Sequence, residues 1–478
     1  MGDFVKSRGT WQTDRAVVAM ALGLAAGPSC SHEPAPRPQL VVVVDTDAPV
    51  VGQIVEGSGL SPAVAIDTVR VDIITGDRDV IDYRDVTVPD PRDWPISFGI
   101  ASQPGTSRAI RLRIRAFRAS LATRGVLNDV TTIEPPENAL IDRIVDLEQA
   151  ERGVRTVRVV LATACFGAPA SFDAPARTCI DAQLREGSPS EGILEGEAPS
   201  LVGTAPEARE TPCSSPIRDG ARCVPGGASI LGDPALEHVI GEVATMPRRP
   251  VLVSPFQMDR TEFTVGRYRR LLARGAVTEV PRARGASGSG LEFCTWLGPD
   301  DASNDDLPLN CISYEAAQRA CEAEGGQLPT EAQWEHAARG RGRGWLFPWG
   351  HDRPQCCTAS ISRASFPDVE VECGPASGVE PVGSHVEGCP VVDVSIDGIL
   401  DLGGSLREVT RDGGVSYADP CWTGPGLRLD PICKSPDLRY GAARGGDWSA
   451  GKIVAAGGIR SFVPMPSTIA GFRCVYAG

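Results

Sequence analysis

The chain has 478 residues, 42% apolar and 23% charged, which is enough for two or three domains that each bury a core. A formal charge of -14 excludes nucleic acid as the main partner, because phosphate binding draws its affinity from clustered Lys and Arg, and it points instead to a solvated acidic surface. Fifteen cysteines, sparse before residue 165 and frequent after it, are hard to keep reduced in a cytosol and point to an exported protein.

At the N-terminus Lys6, Arg8 and Arg15 precede an apolar run from Ala16 to Ala26, and Gly27-Pro28-Ser29 leads to Cys30. Charged, apolar and small residues in that order form a secretory signal over residues 1–30. The eleven apolar residues fall short of a ~30 Å hydrocarbon core at about 1.5 Å each, so the run is read as cleaved. Cys30 resembles the acylated cysteine of a bacterial lipobox, although Gly27 stands where Leu is usual. The expectation is lipid attachment at Cys30 and a location in the periplasm or outer membrane. Ordinary signal-peptidase cleavage, leaving Cys30 unpaired, is the alternative. Pro34, Pro36 and Pro38 make residues 31–39 an extended tether, and no later segment is long and apolar enough to span a membrane.

Strand patterns follow. Leu40 to Val44 is continuously apolar, Val69, Val71 and Ile73 alternate with Arg70 and Asp72, and Ile110, Leu112 and Ile114 alternate with arginines. Ile141 to Leu147 and Val157 to Leu161 continue the series, and Pro, Gly and Asp clusters mark the turns between them. Residues 40–182 are therefore expected to form an antiparallel β-sandwich, with Cys165 and Cys179 closing a loop at its end. From 183 to 222, glutamates and repeated Gly, Pro and Ser interrupt any apolar period, which is the composition of a linker. Cys213 and Cys223 are placed as a staple at its exit.

The remaining residues, 223–478, carry ordered motifs. Val224-Pro225-Gly226-Gly227 is followed by Pro255-Phe256-Gln257-Met258-Asp259 and by Glu262 to Tyr268. Ser313 is an N-cap for a helix whose Ala316, Ala320 and Ala323 share one side, stopped by Gly325 and Gly326. Leu328-Pro329-Thr330-Glu331-Ala332-Gln333-Trp334-Glu335 contains a capping box between Thr330 and Gln333, and Phe347-Pro348-Trp349-Gly350 follows. Then come Pro381-Val382-Gly383, the stretch Asp397 to Asp412, Arg444-Gly445-Gly446-Asp447-Trp448 and Gly471-Phe472-Arg473-Cys474. This ordered series resembles the formylglycine-generating enzyme (sulfatase-modifying factor) family, with its "RLPTEAEWE…PWG", "GLYDMxGNVWEW", "RGGSW" and "GFRC" blocks. The resemblance implies a loop-rich α+β fold, distantly C-type-lectin-like, and a disulfide between Cys321 and Cys474. Cys294 with Cys311 and Cys421 with Cys433 are paired on nearness in sequence alone.

The resemblance also implies oxygen-dependent oxidation of a substrate cysteine, in a Cys-x-Pro-x-Arg peptide, by two cysteines beyond the "RGGSW" tryptophan that hold copper(I) as thiolates. Here those positions, two and seven after Trp448, are Ala450 and Ala455, and Asp447 replaces the family serine. Copper is therefore not expected. The family's calcium sites use Asn and carboxylate oxygens; this chain keeps the carboxylate as Glu408 but has Ser405 and Ser360 in place of Asn, so calcium is left open.

No substitute centre stands out. The histidines, at 32, 238, 336, 351 and 385, lack the spacing of a metal site and are read as surface or packing residues. Cys356, Cys357, Cys373 and Cys389 read as separate disulfides rather than a four-thiolate site. The run Gly340 to Gly344 has no P-loop Lys-Ser/Thr, and no Gly-x-Ser-x-Gly elbow is present. Arg444, Asp447, Trp448, Arg460 and Arg473 are the candidates for a ligand groove, with Arg pairing to core carboxylates as the structural alternative. The expected function is a non-oxidase envelope protein that binds a peptide or small molecule. An active oxidoreductase of the family and an adhesive module are the rival readings, since fold does not fix function.

Overall fold

Apolar residues alternating with arginines and aspartates build the first half of the chain. The computed structural model describes residues 38–75, 79–101, 109–127, 130–173, 176–181, 183–186, 199–236, 245–363, 373, 378–424, 426–434 and 440–478. The expected signal segment, Cys30, nearly all of the expected tether, His32 and His238 lie outside the described residues. The strands of this half are β1 (Gln39–Thr46), β2 (Thr68–Thr75), β3 (Asp79–Thr87), β4 (Ile96–Ala101), β5 (Ala109–Phe117), β6 (Thr123–Leu127), β7 (Val130–Glu134), β8 (Leu140–Glu148), β9 (Val154–Leu161), β10 (Arg177–Ile180) and β11 (Gln183–Glu186).

Two sheets share one core. One has the order β4-β1-β9 and the other β3-β2-β5-β8. Val42, Val157 and Val159 from the first and Val69, Leu112, Ile114 and Val145 from the second are all buried in the same cluster. The residues between them carry charge, and they pair across strands: Arg70 with Asp85 at 2.7 Å, Arg113 with Asp142 at 2.6 Å and Arg115 with Asp72 at 2.6 Å. The four-stranded sheet is antiparallel throughout. The other corrects the purely antiparallel expectation, because β9 arrives from the opposite sheet and runs parallel to β1, Val42 opposite Val157.

Residues 199–222 also depart from the linker expectation. Ser200 Oγ and the Leu201 N–H donate to the Asp45 carboxylate at 3.0 Å, the Ala205 N–H to the Asp47 carbonyl at 3.0 Å, and Ser61 N–H to the Ala208 carbonyl at 2.7 Å. Ala205 and Ala208 are buried. Small side chains, read from composition as a sign of looseness, here let the backbone approach the sheets closely.

The second half has strands β12 (Ala221–Val224), β13 (Gly227–Leu231), β14 (Arg249–Val253) and β15 (Phe256–Asp259), then helices α1 (Val265–Ala273), α2 (Tyr314–Ala323) and α3 (Glu331–Ala338). It ends with β16 (Arg407–Gly413), β17 (Arg428–Leu429), β18 (Tyr440–Arg444), β19 (Arg460–Pro464), β20 (Ala470–Gly471) and β21 (Val475–Ala477). The sheets run β12-β15-β21, β13-β14-β17 and β19-β18-β16-β20. The fold of this half is thus short strands and few helices joined by long loops.

Each helix is capped by a hydroxyl: Thr264 accepts from the Arg267 N–H, Ser313 from Ala316 and Thr330 from Gln333, whose side chain returns the bond to close the box. Ala316, Ala317, Ala320 and Cys321 form the buried stripe of α2, and Phe263 stacks on Phe472 at 4.7 Å between ring centroids. All fourteen cysteines after Cys30 are paired, as 165–179, 213–223, 294–311, 321–474, 356–373, 357–389 and 421–433. Ala228 of β13 belongs to the core of the first half, and Ile230, Leu252 and Leu427 pack on it, so Pro38 to Gly478 is one compact unit.

Candidate functional site

The capping box fixes where α3 begins, and its 3.6-residue period places Glu331, Trp334 and Glu335 on a face directed into the protein. There they meet the arginines of β18 and β19. Arg460 grips Glu331 with two bonds of 2.6 Å, Arg444 reaches Glu331 at 3.1 Å and Glu335 at 2.5 Å, and Arg339 closes on Glu335 at 3.0 Å. Arg460 also lies over the Tyr417 ring at 3.7 Å. Burial opposes ionisation of Glu335, yet Arg444 and Arg339 hold its pKa below the ordinary glutamate value.

A second pair sits beside it. Arg473 donates two bonds of 2.6 Å to Glu408, and the Trp334 indole N–H donates to the same carboxylate at 2.9 Å. The remaining Arg473 donors go to the backbone carbonyls of Asp259 and Leu400. Arg444, Arg460 and Arg473 have no exposed surface at all. The sequence placed them in a groove; the structure makes them the cationic half of a buried network, where bidentate geometry offsets the cost of removing the charges from water. Sequence reasoning overlooked the partners Glu331 and Glu335, whose i, i+4 spacing within the helix motif was the available signal.

Asp447 and Trp448 are also covered, at 1% and 3% exposure. Asp447 accepts from Arg407 Nε at 2.7 Å and from the Ser449 N–H at 2.9 Å, so its charge is neutralised inside the protein. Trp448 packs against Leu406 and tilts onto Phe293 at 4.7 Å, with half-buried Val379 and Ile469 forming the rim. Its buried indole N–H finds no acceptor among the described residues. Beyond it the 3-10 turn Lys452–Ala455 carries Ala455 inward against Ile361 and Ile459, leaves Ala450 half-buried and turns Ile453 outward.

The described residues bear differently on the two metals implied by the resemblance. Copper(I) is held in the family by thiolates, whereas Ala450 and Ala455 offer methyl groups and every cysteine sulfur after Cys30 is in a disulfide. For calcium, the Glu408 carboxylate is committed to Arg473 and Trp334, and Ser405 and Ser360 supply only hydroxyls. Glu262, Asp393 and Asp401 are buried nearby; burial first and Asp401 next push Asp393 up to about 7, and burial with the Asp401 and Glu408 charges raises Glu262 well above the usual range. Among the described residues, the one convergent set of three metal-type side chains is Asp419, Cys421 and Cys433, and those two sulfurs are bonded to each other. His336 is buried between Ser229 and the Pro225 carbonyl, His385 pairs with Glu380 and His351 is exposed, so no imidazoles cluster among the described residues.

Comparison with known proteins agrees with the motif series. Residues 210–477 match the sulfatase-modifying factor enzyme 1-like domain. The chain is 26% identical to the inactive C-alpha-formylglycine-generating enzyme 2 of Mus musculus over 189 residues, 34% of this chain and 60% of the mouse protein. It is 27% identical to the formylglycine-generating enzyme of Streptomyces coelicolor over 224 residues, 39% of this chain and 68% of that enzyme. Among solved structures, PvdO from Pseudomonas aeruginosa is similar with a TM-score of 0.41 and 19% identity, covering 54% of this chain and 94% of PvdO. Through residues 210–477, more than half its length, the chain belongs to the sulfatase-modifying factor (formylglycine-generating enzyme) family.

Proposed function

We propose that this protein is a non-oxidase member of its family, exported, lipid-anchored at Cys30, and serving at the cell envelope to bind a peptide or small molecule. The observation that carries the proposal is the state of its sulfur. With alanine at 450 and 455 and seven disulfides taking up the other cysteines, no thiolate remains to hold copper(I) or to form a mixed disulfide with a substrate cysteine. The same disulfides favour an oxidising compartment. We read residues 40–182 as a β-sandwich and the loop-rich half as distantly lectin-like, two modules suited to display at a surface.

The binding part rests on the Trp448 corner. The Trp448 indole N–H is buried without an acceptor among the described residues, a state unfavourable by roughly 1–3 kcal/mol, and a ligand carbonyl entering between Phe293 and Ile469 would remove that penalty. The expected result with copper and a Cys-x-Pro-x-Arg peptide is binding without an aldehyde product, followed by mass spectrometry. Aldehyde above the no-protein control overturns the non-oxidase reading. Trp448→Phe keeps the ring and removes the N–H, and is expected to weaken peptide binding about tenfold. A peptide that neither binds nor reacts leaves a structural module as the better account.

A further inference from the structure

A cavity of about 400 Å³ opens where the two halves of the compact unit meet, and it shares no lining residue with the Trp448 corner. The first half contributes Arg118 with Ser120 and Leu121 of the turn Ala119–Leu121, and the second contributes Arg248, Arg339 and Arg343. Against these four arginines the lining holds two carboxylates, Asp233 and Glu335.

Both carboxylates are already committed. Arg339 takes Asp233 at 2.7 Å and Glu335 at 3.0 Å, and Glu335 additionally holds Arg444. Arg343 donates to the Gly340 carbonyl and stands 3.7 Å from Glu210. Arg248 has one neutral acceptor, the Leu121 carbonyl at 2.8 Å. Arg118, whose own carbonyl starts the same turn, has neither an ion pair nor a side-chain hydrogen bond among the described residues. Two arginines therefore line one cavity from opposite ends of a single turn, and neither has an ion-pair partner among the described residues.

Burial lowers the pKa of both groups. For Arg118 the distant pull of Asp67 does not compensate, and for Arg248 the pull of Asp233 is offset in part by repulsion from Arg339. Partly desolvated cations without a paired anion are costly, and planar guanidinium forks match the geometry of tetrahedral oxyanions. The volume lies at the small end of ligand sites, which suits a phosphate- or sulfate-sized group with little attached.

We propose that this cavity is an oxyanion site in which Arg118 and Arg248 bind a phosphate- or sulfate-type group, free or as a small ester, and so join the two halves of the protein through a ligand. It goes beyond the reading of the Trp448 corner and does not depend on it. The test is calorimetric titration of the full chain with inorganic phosphate, inorganic sulfate and phenyl phosphate, at an ionic strength held constant with chloride. Saturable 1:1 binding of the inorganic ions identifies a free oxyanion as the ligand; binding confined to phenyl phosphate identifies an ester.

Arg118→Gln is expected to raise the dissociation constant about tenfold or more, because it removes a charge-assisted fork. Arg282→Gln, which changes an exposed arginine outside the cavity, is expected to leave it unchanged. Should R118Q not fold, Arg118→Lys keeps the charge without the fork and is expected to bind severalfold more weakly. No saturable heat with any of the three anions overturns the proposal, as does a dissociation constant in the Arg118 variants equal to that of the unaltered chain.

Discussion

Arginine 460 shows what a single residue position can and cannot announce. The "RGG" and "GFR" motifs made Arg444 and Arg473 visible in the sequence and Arg460 stood between them, but whether a guanidinium meets a ligand or a carboxylate depends on what α3 brings opposite, and sequence order does not give that distance. The same network yields a stability expectation. Glu331→Gln leaves Arg460 and Arg444 partly unpaired in a fully buried place, and is expected to destabilise by about 3–5 kcal/mol in urea unfolding. A change under about 1 kcal/mol would show that the pair is relaxed in solution. His336 supplies the pH counterpart. Its Nδ1 faces the Ser229 hydroxyl at 2.6 Å and its Nε2 the Pro225 carbonyl at 2.9 Å, and burial pushes its pKa down to about 4. A depressed pKa means that the stabilisation is present above the unfolded value near 6.5 and is lost as pH falls toward 4, by up to about 3 kcal/mol. His336→Gln is expected to flatten that part of the stability-versus-pH curve; an unchanged slope would assign the acid sensitivity to other groups.

Elements set by local chemistry were legible and those set by long-range pairing were not. Thr330 and Gln333 announce the start of α3 because both partners of the capping box lie within one turn. Thr330→Ala is accordingly expected to cost about 1 kcal/mol in thermal or urea unfolding, with Thr330→Ser close to neutral. The strands around Val71 and Leu112 were equally plain from alternation, and those around Val42 and Val159 from short apolar runs. Their arrangement was not, since nothing near Val42 indicates that Val157, far along the chain, lies beside it in parallel. The stretch from Ser200 to Glu210 misled for a related reason: Ala, Gly and Pro describe both a mobile connection and a backbone packed too tightly for larger side chains. Helix α1 has a hydroxyl cap like the other two, but Thr264 stands inside a motif read for its family pattern rather than for its helical start.

At the scale of the whole molecule, Ala228, Ile230, Leu252 and Leu427 extend the core of the first half into the second, and Arg341 bonds Glu210 at 2.8 Å across the connecting stretch. The expected outcome of calorimetry is one cooperative unfolding transition for the full chain; two resolved transitions would mean that the halves are thermodynamically separate. Family membership could be read from motif order alone, whereas the cavity between the halves could not, because Arg118 and Arg248 become neighbours only when the two halves meet. The pairing of Cys321 with Cys474 has a further consequence, for the response of the chain to proteolysis. That bond spans most of the second half, and smaller loops closed by Cys356–Cys373, Cys357–Cys389 and Cys421–Cys433 are nested within it. A peptide bond cut anywhere between residues 321 and 474 therefore leaves one covalent molecule, in which the last strand is still tied to α2 and to its place beside β15. Nicked protein is expected to migrate as a single species without reductant and as two after reduction, so a wound in this surface becomes damage only when a second agent opens the sulfur bridge.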